Sequence, residues 1–156
     1  MVLPNGSIAV MVHTNDAGGW SGEVIATAPT WRGPFVVAVP DAAVANENRS
    51  QEDPFMWIDA RGHWHALVHK MFDPPGGGPC GAWAGGHLFS EDGAQWSPVA
   101  RAYNTTVRTA GGGATVFTRR ERPKLIFDAR GRPTHLYNGA IPPQGNPYTI
   151  VSPINV

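Results

Sequence analysis

The sequence predicts an all-β protein, a β-propeller-like array of about three four-stranded antiparallel blades. Three observations carry this. Glycine (19) and proline (15) punctuate the 156 residues so densely that long helices are excluded and short strands joined by turns are favoured. A hairpin pattern recurs around Gly6, Gly62 and Gly131, each glycine lying between two short apolar runs. The stretches QEDPFMWIDARGHWHALVH, from Gln51, and RERPKLIFDARGRPTHLYN, from Arg120, also repeat one plan: an acid beside a proline, an apolar run, Asp-Ala-Arg-Gly, and a second apolar run.

The elements follow from aligning the turn glycines. PNGSIAVMVH places Gly6 seven residues before His13, ARGHWHALVH places Gly62 seven before His69, and ARGRPTHLYN places Gly131 seven before Asn138. GEVIATAPTWRGPFVVAV follows the first hairpin and GGHLFSEDGAQWSPVA the second. Each reads as a strand, a turn with Trp31 or Trp96, and a further strand opened by Pro34 or Pro98. Each unit is therefore expected to be a four-stranded sheet, with blades at approximately residues 1–45, 50–105 and 106–156. Sheets repeated radially in this way are propeller blades. A sandwich whose hairpins resemble one another by coincidence is the alternative.

Composition bounds the partners. A chain of this length fits one domain with a real core. Lysine plus arginine balance aspartate plus glutamate at 12 each, so no net field recruits nucleic acid or an anionic membrane. No apolar stretch approaches the length of a membrane span. The start, MVLPNGSIAVMV, lacks a basic region and a sustained apolar run, so no signal peptide is expected and the compartment stays open. Cys80 stands alone in a glycine-rich loop, which excludes an internal disulfide and reads as an idle thiol.

The acids beside the prolines are the chemical signal. Pro54 and Pro123 each lie eight residues before their turn glycine, so Glu52 matches Glu121 and Asp53 matches Arg122. A proline opening a strand needs no ladder partner for its missing N–H, and it is expected to hold the preceding residue extended. In a propeller the inner strands begin near the axis, so side chains before those prolines converge on one pocket. Converging carboxylates are what glycoside hydrolysis requires, one protonated to donate to the leaving oxygen and one ionised to activate water or attack carbon.

At these residues the chain resembles the five-bladed propeller glycoside hydrolases, especially families 43 and 32. Asp53-Pro54 followed by FMWIDARGHWHAL is similar to their Asp-Pro signature, and Glu121-Arg122-Pro123 followed by KLIFDARGRPTHL to their Glu-x-Pro signature. The resemblance implies Asp53 as the acid that positions substrate and tunes the proton donor, and Glu121 as that donor. It implies a carbohydrate ligand, with Arg122, Trp83, Glu52, His65 and Tyr137 as candidate substrate contacts. It also allows a central calcium beside His65 or His87, though no metal ligand set is assigned. The family's third carboxylate, an aspartate base on the first blade, would fall ahead of Met1, and about two of the usual five blades are missing. Asp16 and Asp41 read as loop residues. The chain is then a fragment, a half-ring closed by a second copy, or a binding module without chemistry. Its two open blade faces predict a homo-oligomer, most simply a two-fold ring.

Further residues carry blander readings. His63, His65 and His69 share one strand face by alternation, which suits a metal site with Asp53 or, more ordinarily, a packed histidine face. Trp57 and Trp64 read as core between blades, and Trp20, Trp83 and Tyr137 as sugar platforms. SEDGAQW, from Ser90, reads as a structural turn. Arg119, Arg120 and Arg122 flank Glu121 either as pocket groups or as solvated edge charges.

Overall fold

In a computed structural model, the chain is described over residues 1–15, 21–40, 51–71 and 83–154. Asp16, Trp20, Asp41, Cys80 and the glycine-rich stretch around Cys80 lie outside the described residues. All twelve elements there are strands: β1 (Ile8–Asn15), β2 (Ser21–Ala28), β3 (Val36–Val39), β4 (Gln51–Ile58), β5 (Trp64–Met71), β6 (Trp83–Ser90), β7 (Ala100–Tyr103), β8 (Thr106–Arg108), β9 (Ala114–Val116), β10 (Arg119–Phe127), β11 (Pro133–Ile141) and β12 (Tyr148–Pro153). They form antiparallel sheets ordered β1-β2-β3, β4-β5-β6-β7, β8-β9 and β10-β11-β12.

The all-β expectation holds; among the described residues the middle sheet has four strands and the first and third have three each. The segment before β10 does not join the third sheet; Thr106–Arg108 and Ala114–Val116 fold on each other as a separate hairpin.

The glycine repeat is a physical device. At Gly6, Gly62, Gly112 and Gly131 the glycine N–H donates to the carbonyl three residues back, whose own N–H donates to the carbonyl after the glycine. This three-residue hairpin loop needs a left-handed residue at its third and last position, and those glycines have φ of 83°, 88°, 82° and 73°. In two copies an aspartate opens the turn and caps it. Asp59 Oδ1 accepts from the N–H groups of Arg61 (2.9 Å) and His63 (3.0 Å), and Asp128 Oδ1 from those of Arg130 (2.8 Å) and Arg132 (2.9 Å). SEDGAQW is likewise a structural turn: Asp92 Oδ1 accepts from Ala94 and Gln95, Ser90 Oγ accepts from Gly93, and Trp96 Nε1 donates to the Gly93 carbonyl. Trp64 lies so close over Gly93 that a Cβ there would meet its ring at 2.6 Å.

Two apolar layers join the three larger sheets. Ala66, Val68 and Leu88 of the middle sheet are buried under Met11 of the first, with Trp96 and Val99 alongside. Alternation puts Leu67 on the opposite face, where it is buried with Leu125 and Leu136 of the third sheet among Phe55, Trp57, Tyr103 and Phe127. Trp57 is thus core, as its place in the hairpin suggested. The sheets converge where β10 crosses β4 and β4 meets β1.

The glycine alignment slips by one in the third sheet. His69 pairs with Glu52 across β4–β5, but the partner of Glu121 across β10–β11 is Gly139, not Asn138. The cause is an irregularity between Ile126 and Phe127 that gives β11 one extra residue.

Candidate active site

Two bulges of the same kind build the site. Register shifts between Glu52 and Phe55 and between Glu121 and Lys124 lift Asp53-Pro54 and Arg122-Pro123 out of their ladders. Proline donates no N–H, so the break loses one hydrogen bond fewer at each bulge. The expectation of extended backbone before each proline is overturned. Asp53 and Arg122 have φ of 57° and 53°, the only non-glycine positive values among the described residues. Such residues persist only where surrounding structure holds them, and they cluster at functional sites.

The bulges bring the acids together. Glu52 Oε1 lies 2.9 Å from His69 Nδ1, and Glu121 Oε2 lies 4.0 Å from the same nitrogen. Carboxylate oxygens of Glu52 and Asp53 and a ring nitrogen of His69 all fall within 4.8 Å of one another. His69 is fully buried and Glu121 nearly so, while Glu52 is about one-third exposed. The Glu52, Asp53 and His69 donors are the described residues best disposed to hold a cation, a set that joins Asp53 to one of the three histidines read from the strand face.

Arginines fill both oxygens of Glu121. Arg122 donates to Oε1 at 2.8 Å and Arg119 Nη2 lies 3.1 Å from Oε2, with Glu52 Oε1 3.9 Å from the same Arg119 nitrogen. Arg122 is 68% exposed and Arg119 36%, so both reach the acid from the solvent side.

A buried polar network holds the far side. Asn138 Nδ2 donates to the Glu121 carbonyl (3.3 Å) and to Tyr103 Oη (3.0 Å), while Asn138 Oδ1 accepts from Arg120 Nε (2.9 Å). Arg120 also donates to the Asn104 carbonyl and to Ser152 Oγ, both at 3.2 Å, and its guanidinium lies 4.5 Å from the centre of the Tyr103 ring. Burial raises the Tyr103 phenol well above its ordinary value; the Asn138 bond and Arg120 oppose this, and the charges of Asp53 and Glu121 add to it. Both acids therefore act on one phenol. Burial also lowers the Arg120 guanidinium.

Of the sequence-derived candidates, Glu52, Asp53, Glu121 and Arg122 come together. Tyr137 shares with Arg122 an open cleft of about 640 Å³ that Tyr148 also lines. His65 does not join them. It sits four residues along β5 from His69, stacked on Trp57 (centroids 4.9 Å), with Nδ1 3.0 Å from His87 Nε2 and Nε2 3.4 Å from Asp59 Oδ2. The Trp83 side chain lies outside the described residues. Sequence reading missed His69 as the hub and Tyr103, while Arg119, read as a pocket group or an edge charge, is a second partner of Glu121. His69 was flagged on the right face, but nothing in the periodicity distinguished it from His65.

No family model matches the chain, and no curated protein matches its sequence. Among solved structures, fructan 1-exohydrolase IIa from Cichorium intybus superimposes with a TM-score of 0.55 at 14% identity, over 96% of this chain and 29% of that one. A Glu-to-Gln variant of the same enzyme in complex with 1-kestose gives 0.54, also at 14% identity over 96% and 29%. Endo-arabinase from Bacteroides thetaiotaomicron gives 0.48 at 12% identity, over 97% and 72%. This chain spans less than a third of the length of the fructan exohydrolase. The antiparallel sheets packed face to face have a β-propeller-like fold similar to that of the fructan exohydrolase.

Proposed function

We propose that this chain binds and acts on carbohydrate as part of a glycoside hydrolase-like propeller, with Glu121 as general acid and Asp53 as the carboxylate that positions substrate and tunes that acid. One observation carries the reading: matched bulges, each with a strained residue before a proline, deliver Asp53 and Glu121 to the same buried histidine. In glycoside hydrolysis a proton passes from the acid to the leaving oxygen as the glycosidic bond breaks, while a second carboxylate activates water or attacks the anomeric carbon. Glu52, across His69 from Glu121, is the second carboxylate nearest to hand. The blades are proposed at about residues 1–45, 50–105 and 106–156, the last including the β8–β9 hairpin beside its sheet.

A binding module without chemistry is the second reading, and a specific contact favours it. Both oxygens of Glu121 are occupied by guanidinium donors, which leaves neither placed to donate a proton. Catalysis therefore requires substrate to displace an arginine, and the exposed Arg122 is the one a sugar oxygen can replace.

Hydrolysis of 4-nitrophenyl arabinosides, xylosides and fructosides, measured beside calorimetric binding of the free sugars, separates the readings. As an enzyme, Glu121→Gln loses roughly 10²–10⁴-fold in rate and still binds sugar. Binding with no turnover in the parent chain leaves the module reading. Neither binding nor turnover sinks both.

A further inference from the structure

Each larger sheet has two distinct faces, and within the chain they meet in one order. The face of the first sheet that carries Met11 packs on the face of the middle sheet that carries Ala66, Val68 and Leu88. The other face of the middle sheet, carrying Phe55, Trp57 and Leu67, packs on the third sheet at Leu125 and Leu136. The same back-on-front contact is thus made twice. Among the described residues it leaves one front bare, on the first sheet, and one back bare, on the third.

The bare faces hold the residues that this contact uses elsewhere. Counting from the turn glycines, Val10 and Val12 stand where Ala66 and Val68 stand, and Val10 pairs with Ala26 as Ala66 pairs with Leu88. Val12 is 45% exposed, and Val37, opposite Ala26, is 54% exposed. On the third sheet, Tyr137 and Ile126 stand where Leu67 and Trp57 stand, measured from the bulge, and Val151 pairs with Tyr137. Ile126 is 51% exposed and Val151 48%. Apolar faces of this extent mark contact surfaces. Each lacks only the partner that the chain supplies at its two internal contacts.

We infer that a second copy of this chain covers both faces, the third sheet of each copy seated on the first sheet of the other. The contact is heterologous, so it stays finite only if the copies close into a ring, and two copies make the smallest such ring. Closure in this order surrounds one axis with the inner strands β4 and β10 of both copies, and with the carboxylates they carry.

Light scattering and sedimentation velocity at tens of micromolar test this on the intact chain. The expected particle has twice the 16.7 kDa chain mass. Val12→Lys and Ile126→Lys alter opposite faces at exposed positions, so each should keep its circular dichroism spectrum and melting transition yet run at the monomer mass. Mixing the two variants restores one unaltered contact, and the mass should climb back toward the dimer. A parent monomer overturns the inference. So does an open-ended series of larger species, or a dimer that survives Ile126→Lys, which would mean that two first sheets pair with each other.

Discussion

Asp53 and Arg122 are the same residue in structural terms: each precedes a proline, each stands at a bulge on an inner strand, and their φ values are 57° and 53°. Neither is glycine, although a left-handed backbone costs an ordinary residue roughly 1–2 kcal/mol. The strain predicts an inverted substitution order. At an ordinary exposed strand position valine is better than glycine by up to about 1 kcal/mol. At Arg122, glycine should be better than valine by about 1 kcal/mol or more, because a β-branched residue is a genuine outlier there. Urea unfolding of Arg122→Gly and Arg122→Val measures this directly. Valine equal to or better than glycine would mean that the bulge relaxes at no cost.

Asn138 is the hub under Glu121. It is 1% exposed and bonds Arg120, Tyr103 and the Glu121 backbone. Asn138→Ala strands the Tyr103 phenol and one N–H of a buried guanidinium, so a loss of about 2–6 kcal/mol is expected, from roughly 1–3 for each stranded group. Tyr103→Phe removes only one hydrogen bond and should cost about 1 kcal/mol. Combined, the two losses should fall short of their sum, because the second substitution removes a group the first had stranded. Strict additivity in denaturant unfolding would dismantle the network.

What could be read before folding was local. Gly6, Gly62 and Gly131 announced their turns because a hairpin loop demands a left-handed residue at a fixed place. Gly112 does the same inside Gly111-Gly112-Gly113, where neighbouring glycines hid the spacing. The match of Asp53 to Arg122 was legible from the prolines, but not the left-handed backbone, since proline ordinarily favours an extended predecessor. The match of His69 to Asn138 failed because one extra residue in β11 shifts every later partner, and no periodicity records a bulge. Tyr103 enters the site across sheets, a relation fixed by tertiary packing alone.

Gly85 tests that cross-sheet packing. A Cβ built on Gly85 would lie 1.9 Å from the Tyr103 ring, and one on Gly86 would lie 2.4 Å from Val99. Tyr103 can therefore reach Asn138 only because Gly85 has no side chain. Gly85→Ala should cost about 1–3 kcal/mol by overpacking and should weaken any sugar binding by displacing the phenol beneath Glu121. Adding Tyr103→Ala should recover the clash but not the binding. If Gly85→Ala alone matched the parent in both stability and binding, Tyr103 would have no part in positioning Glu121.

Acid should unfold the protein in two stages, and the sign of each follows from its groups. Burial, and then the charge of His65, lowers His87 from its ordinary value of 6.5. The folded state thus binds that proton less readily than the unfolded chain, so the stabilisation is complete above pH 6.5 and is lost as pH falls below it. The turn aspartates follow lower down. Burial alone would raise Asp59, but the Arg61 side chain, the N–H groups of His63 and Arg61, and His65 hold it far below 3.8. The Arg132 N–H is the chief cause lowering Asp128, and the Gln95 and Ala94 N–H groups lower Asp92. Their stabilisation is complete above pH 3.8 and is lost below it, toward the depressed folded values. Melting temperature against pH should therefore fall first as pH drops below 6.5, and again below pH 3.8. His87→Gln should flatten the first fall and leave the second, while Asp128→Asn should lower the melting temperature at neutral pH and shrink the second. An unchanged slope just below pH 6.5 in His87→Gln would show that the His65–His87 pair is not the acid-sensitive joint of the middle sheet.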